Sequence, residues 1–429
     1  MTTGTVSFRP LNLGRWLAWS LTALVMLVAP LVFRQGFAIT LLSQMGIMII
    51  FALSYNMLFG QGGMLSFGHA VYSGLGAFFA IHTMNWMATG HTWLPVSLIP
   101  LVGGIFGALF GVIFGFVTTK KAGTPFAMIT LGIGEMVFAA SLMFPGFFGG
   151  EGGITTDRVI GTPFLGINYG PGIQVYYLVA VWCFASMVAM YAFSQTPLGR
   201  ISNAVRDNPE RVEFIGYNTQ RVRYLVLIVS AFFAGIAGGL SAINFEIVSA
   251  ENVSAVRSGG VLFAVFIGGA MFFFGPIIGA IVFTFFAVAL SEYTKAWQFY
   301  LGAFFVLMVM YAPGGIASLL LLNLRVAKHK LFGRLRDPYV GVLLTGLLLL
   351  LGIVMVVEVV YHLTLEGAGG TTMKLFGLTV DTASSELWVI AIGTLAGGLL
   401  SFEAMRRYFK REWDAVAEKI ENLPQGQAR

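Results

Sequence analysis

The chain is short of charge and nearly free of cysteine. Asp, Glu, Lys and Arg make up 10% of it, against about 25% in soluble domains. A large soluble core is excluded on that ground. Its one cysteine, Cys183, rules out a disulfide within the chain and argues against a thiol metal site. Cys183 sits in the apolar run YYLVAVWCFASMVAM, where helix packing is its expected role. The phosphate-cradling pattern G-x-x-x-x-G-K-[ST] is missing, and so are H-E-x-x-H, G-x-S-x-G and paired Cys/His sets. The five histidines (His69, His82, His91, His329, His362) are scattered. The expectation is a chain with no catalytic residues, no metal ligands and no cofactor of its own, hence not an enzyme. The first apolar run, Trp16 to Phe33, has no clear small-residue cleavage site, so no cleavable signal peptide is expected.

What is present is apolar. Of the 429 residues 57% are hydrophobic, 54 are glycine, and the mean hydropathy is +0.83. A membrane span needs about 20 apolar residues, and small residues let helices approach closely in lipid. The fold class read from this is an all-α polytopic membrane protein. Twelve candidate spans cover 16–33, 39–59, 70–88, 94–118, 125–144, 173–194, 223–245, 258–273, 275–291, 297–321, 339–361 and 385–404.

Charge gives a second test of this layout. With the N-terminus inside and the spans alternating, 20 of the 25 Lys and Arg fall inside. Arg34, Arg158, Arg257, Lys295 and Lys374 fall outside. Cytoplasmic loops favour Lys and Arg in this way, so both termini are expected in the cytoplasm. The formal charge of +6 follows from these membrane flanks and does not point to nucleic acid.

The most polar interruption is residues 198–223, LGRISNAVRDNPERVEFIGYNTQRVR, with five arginines. Ile201 and Val205 share a helix face. Asn208-Pro209 reads as an N-cap followed by proline at the first helical position. Val212 and Ile215 continue the apolar stripe, and Gly216 reads as a stop. Two short helices are expected here, on the inner side. On the outer side, residues 145–172 are rich in glycine, with a hairpin expected around VIGTPFLGI, and residues 362–384 form a second loop. The tail from Met405 to Leu423 is amphipathic, with a pattern suited to lying on an anionic inner leaflet.

Two apolar segments are broken by glycine: FGQGGMLSFGHAVYSGLGAFFA (59–80) and FIGGAMFFFGPIIGAIVF (266–283). They share a loose GG…FG…G pattern. Irregular backbone is tolerated at membrane depth only where it is buried in protein or lines a cavity, so both are candidate pathway segments. Close helix packing is the alternative. Glu135, inside PFAMITLGIGEMVFAA, is a carboxylate at membrane depth and a functional candidate for that reason.

These segments carry a family resemblance. NMLFGQGGMLSFGHAVYSGLGAFFA resembles the early signature of the LivM-type permeases of branched-chain amino acid ABC importers. GRISNAVRDNPERVEFIGYNTQRVRYLVLIVSAFFAGIAGGLSA is similar to that family's coupling loop and following helix. PFAMITLGIGEMVFAA, GGEGGITT and FGPIIGAIVF…LGAFFVLMVMYAPGGIASLL follow in the family's order. The resemblance runs from about Phe37 to Leu320. It implies that Gly199, Arg200, Ala204, Arg206, Asp207, Asn208 and Gly216 couple to an ATPase. Gly63, Ser66, Gly68, His69 and Glu135 become pathway candidates. Family members often place a basic residue soon after that glutamate; here Val137, Phe138 and Ala139 follow.

The expected organisation is an N-terminal segment with the first transmembrane helix (1–36), a permease core carrying the coupling loop 198–223 (37–321), a two-span extension outside the family core (322–404) and an amphipathic cytoplasmic tail (405–429), with about ten family-core spans counting the first. The implied partners are a homologous permease subunit, two ABC ATPase subunits that bind the ATP, an extracytoplasmic substrate-binding protein and membrane lipid. The implied location is a bacterial inner membrane, and the implied cargo is branched-chain or related amino acids. A permease for urea or short amides would have the same architecture. An ion-coupled secondary transporter using Glu135 is the alternative of a different class.

Overall fold

The computed structural model describes residues 13–90, 94–159, 168–328, 332–366, 372–375, 378–382 and 384–421. The chain divides into two compact units, Met1–Glu292 with Leu301–Ala317, and Tyr293–Tyr300 with Ser318–Arg429.

The first unit is a helical bundle. Helix α1 (Leu13–Val32) precedes α2 (Gly36–Asn56), which runs on through a π-helical turn, Met57–Gln61. Residues 62–69 are not helical, and α3 (Ala70–Ala88) begins directly after them. Then come α4 (Ile99–Thr118), α5 (Thr124–Met143), the short α6 (Pro145–Phe148) and α7 (Gly172–Gln195). Two short helices, α8 (Pro197–Asp207) and α9 (Pro209–Phe214), lead into α10 (Thr219–Phe245). Helices α11 (Ala255–Gly268) and α12 (Gly275–Thr284) are separated by a glycine break; of the next two helices, α13 (Trp297–Tyr311) belongs to this unit from Leu301 and α14 (Gly315–Lys328) only as far as Ala317.

Helix α10 is the central element, with 17 of its 27 residues buried. Glycine makes that possible. A methyl group on Gly103 of α4 would lie 2.5 Å from the Gly235 carbonyl of α10, and one on Gly76 of α3 would lie 2.7 Å from the Gly103 carbonyl. Without side chains at these positions the backbones pack directly, as membrane helices favour.

At the end where α10 finishes, Ile154–Thr155 (β1) pairs antiparallel with Ile247–Val248 (β2). The backbone N–H of Arg158 donates to Glu246 Oε1 at 2.9 Å, and the side chains form an ion pair at 3.9 Å. The segment after α5 and the segment after α10 are thereby joined into one platform.

In the second unit, α15 (Phe332–Tyr361) and α16 (Ser385–Glu421) run antiparallel. Gly352 faces Leu395 and Gly398 faces Leu349. Glu358 accepts hydrogen bonds from Thr294 (2.6 Å) and Tyr300 (2.9 Å).

The twelve candidate spans all fall on helices, but 258–273 runs past the end of α11 at Gly268 and 297–321 crosses the bend between α13 and α14. Among the described residues eight are long and apolar enough to cross a membrane alone, and 297–328 makes a ninth if its bent pair is one span. Helices α1, α3 and α11 fall short on length or apolarity. Helix α3 tolerates polar residues because its first half is buried against other helices rather than lipid.

One local expectation differs, one gains detail and one lies outside the described residues. The tail is no separate surface helix: α16 continues unbroken through it, and Phe409 and Val416 pack with Tyr339, Val326 and Leu335. Among the described residues of the apolar stripe, Phe409, Trp413 and Val416 pack against protein, and Val416 is buried. The 362–384 segment contains a hairpin, β3 (Thr372–Leu375) with β4 (Leu378–Asp381). The hairpin expected around VIGTPFLGI falls almost wholly on residues 160–167, outside the described residues.

Candidate functional site

The site is built around the break between α2 and α3. Residues 62–69 carry backbone groups that no helix satisfies, so side chains must do it. Thr130 of α5 accepts the Phe67 N–H (3.2 Å), Tyr55 of α2 donates to the Ser66 carbonyl (3.0 Å), and Ser258 of α11 accepts the Ala70 N–H (3.0 Å). Thr130 is the seventh residue of α5, about 9 Å along that helix at 1.5 Å per residue. The break therefore lies inside the span of its neighbours.

His69 is fully buried here, among Phe51 (ring centroids 5.5 Å apart), Tyr55 (5.2 Å) and Tyr72 (5.8 Å). Its Nε2 lies 3.0 Å from Ser54 Oγ. The Ser54 hydroxyl gives its proton to the Phe51 carbonyl at 2.7 Å. Its oxygen can then only accept, which assigns the imidazole proton to Nε2. Within the described residues His69 Nδ1 and Ser66 Oγ have no hydrogen-bond partner.

The second glycine break meets the first. Phe59 contacts Phe266 (centroids 4.9 Å apart), and a Cβ on Gly60 would strike the Ala270 carbonyl. Gly269 at that break has φ +108°, open to glycine alone among common residues. The two interrupted segments singled out in the sequence are thus neighbours in space.

Helix α8 docks on the same place. Arg206 donates through Nη1 to the Gly60 carbonyl and is paired with Asp207 at 2.9 Å. Ser202 donates to the Gln61 carbonyl at 3.4 Å. Gly63 has φ +64°, and a Cβ there would lie 2.8 Å from Arg206 Cγ. Gly199 sits against the Phe193 carbonyl, where a larger residue would force α7 and α8 apart. Thr196 caps α8 by accepting from Gly199 N (3.2 Å), and Asn208 caps α9 by accepting from Arg211 N (3.0 Å). Gly216 has φ +92° and ends the pair. Arg200, Ala204, Asp207 and Asn208 are exposed.

Of the expected pathway residues, Gly63, Ser66, Gly68 and His69 belong to the break, with Gly68 packed on the Thr130 carbonyl. Glu135 does not. It is exposed on α5, on the face that carries Met128, Gly132 and Met136, while Thr130 and Gly134 face the break. Val212 is buried as expected, but Ile215 is 68% exposed beside Phe214 at 89%. Helix α9 is too short to carry a stripe further, so both project from its end. Two large apolar residues beside a glycine stop, within a charged segment, were the available signal. Tyr55, Thr130 and Ser258 gave none, since nothing local marks a side chain that will support a distant backbone.

The fold and the site define a polytopic α-helical membrane protein with paired helix interruptions at its centre and a short helix pair locked onto them. Residues 37–313 match the family described as branched-chain amino acid transport system / permease component, and the chain belongs to that family. It is 27% identical over 292 residues to the high-affinity branched-chain amino acid transport system permease protein LivM of Escherichia coli (strain K12), covering 63% of this chain and 67% of that protein. The LivM protein of Salmonella typhimurium is 26% identical over the same shares. No solved structure matches the chain.

Proposed function

We propose that the chain is an inner-membrane permease subunit of an ATP-driven ABC importer, forming the pathway for branched-chain or related amino acids. The observation that carries this is the seating of α8 on the π-helical turn at the helix break. The chain lacks a P-loop, so the work of ATP must arrive from outside it. A helix pair that projects Phe214 and Ile215 at one end and grips the break through Arg206 at the other can receive a push and pass it on. In this reading Gly199, Arg200, Ala204, Arg206, Asp207, Asn208 and Gly216 form the coupling element, on the cytoplasmic side. Two ATPase subunits, a homologous permease and an extracytoplasmic binding protein complete the assembly. The binding protein would rest on the β1–β2 platform. No Asp or Glu is buried among the described residues, so the ion-coupled reading has no carboxylate inside this chain's own bundle. Glu135, turned away from its own bundle, would face the pathway between the two permeases.

The test is co-purification. The double variant Phe214→Asp, Ile215→Asp is expected to insert normally and to lose its ATPase subunits. Retained ATPase subunits with unchanged uptake would overturn the coupling assignment.

A further inference from the structure

A cavity of about 590 Å³ opens beside the start of α11, bordering the helix break through Phe51 but taking no part in the contact with α8. Its size falls in the ordinary range for small-molecule sites. The walls are mostly apolar, formed by Ile47, Met48, Phe51, Phe138, Phe245 and Phe283. Two ionic groups interrupt them, Arg257 and Glu251.

Arg257 is placed where its own fold gives it little. It is the third residue of α11, whose cap is Ser254 accepting the Arg257 N–H at 3.3 Å. A cation in the first turn opposes the helix dipole, which favours anions there by about 0.3–1 kcal/mol. Among the described residues no carboxylate pairs with it. Its side chain has one long hydrogen bond, to Ser241 Oγ at 3.5 Å, and its guanidinium lies 5.9 Å from the Phe51 ring centroid. A half-buried guanidinium with five donors and one weak partner is set up for an anion, and its planar fork matches a carboxylate. Glu251, in the turn before α11, also has no cationic partner among the described residues. The two do not satisfy each other, although both line the same cavity.

We propose that this cavity is a subsite for a free α-amino acid. Arg257 takes the carboxylate and Glu251 the ammonium. The aromatic and aliphatic walls take an uncharged side chain. This deepens the importer reading and rests on it for the identity of the cargo, but the chemistry it assigns is that of any apolar zwitterion. It also accounts for an arginine on the side where positive charge is otherwise scarce.

The test uses the full chain in lipid nanodiscs with radiolabelled leucine as the probe, competed by leucinamide, which lacks the carboxylate, and by 4-methylpentanoate, which lacks the amine. Leucine is expected to bind, and each analogue to compete at least about tenfold more weakly, a loss of about 1.4 kcal/mol. Arg257→Gln is expected to weaken leucine binding by the same factor or more, with Arg257→Lys intermediate and Glu251→Gln also weakened. Gel filtration of each variant separates misfolding from lost binding, and Arg257→Lys keeps the charge should Arg257→Gln fail to fold. Equal competition by leucinamide, or wild-type leucine binding by Arg257→Gln, would overturn the subsite. Failure of wild type to bind leucine would overturn it also, while ATPase co-purification would leave the importer reading standing. Zwitterion binding that depends on Arg257, in a chain that recruits no ATPase, would support the subsite and remove the importer reading.

Discussion

At the scale of single residues, space separates glycines that composition treats alike. A methyl group at Gly238 on α10 would collide with the Ser73 carbonyl, a backbone atom that cannot swing aside. At Gly132 on α5 it would meet nothing within 4 Å. Gly238→Ala is therefore expected to destabilise the protein by about 1–3 kcal/mol, the range for overpacked cores. Gly132→Ala should be neutral or stabilising by up to about 1 kcal/mol through helix propensity. Thermal unfolding in detergent, followed by tryptophan fluorescence, distinguishes them, and equal midpoints would refute the packing argument. Glu135 is a different case, because what matters is what lies outside the chain. Glu135→Gln keeps the shape and removes the charge that, in the proposed assembly, faces the pathway between the two permeases. The complex is expected to assemble while uptake falls several-fold. Wild-type uptake would return Glu135 to a packing role.

At the scale of elements, the question is whether α8 acts on the helix break or merely rests near it. Arg206→Ala removes a charge-assisted hydrogen bond to the Gly60 carbonyl, a class worth about 1.5–3 kcal/mol. ATPase subunits should still bind, because Phe214 and Ile215 remain. Uptake should drop about tenfold or more, as 1.4 kcal/mol corresponds to a factor of ten. Full uptake by this variant would detach α8 from the pathway. Much of this element was readable in advance. Asn208-Pro209 and Gly216 delimit α9 because capping is local chemistry, and glycine breaks show in any apolar run. The contact between Arg206 and Gly60 was not readable, since 146 residues separate them and no period links the two. For the same reason α16 looked like a span followed by a surface tail. Its apolar stripe was plain at 405–423, but the partner of Phe409 and Val416, around Tyr339, was not. Glu135 shows a limit of another kind. Membrane depth follows from the sequence, but which side of α5 faces the bundle depends on packing.

At the scale of the whole molecule, orientation decides whether the parts can work as proposed. Coupling helices must meet ATPases in the cytoplasm, and the β1–β2 platform must face the other way. The twelve-span layout expected from sequence points the same way, placing 20 of 25 Lys and Arg on one side. The chain offers a clean way to test this. Its single cysteine, Cys183, is 0% exposed, so thiol reagents should leave the native protein unlabelled. Ala204→Cys on α8, Arg411→Cys on α16 and Glu151→Cys near β1 each place one thiol at an exposed position. An impermeant maleimide added to intact spheroplasts is expected to label position 151 alone. Inside-out vesicles should reverse the pattern, labelling 204 and 411. Labelling of 204 and 151 from the same face would contradict the odd number of crossings between them. Labelling of 204 from outside would place α8 and α9 beyond the reach of any cytoplasmic ATPase. The coupling assignment would then fail whatever the co-purification result, because a push cannot be delivered to the wrong side of the membrane.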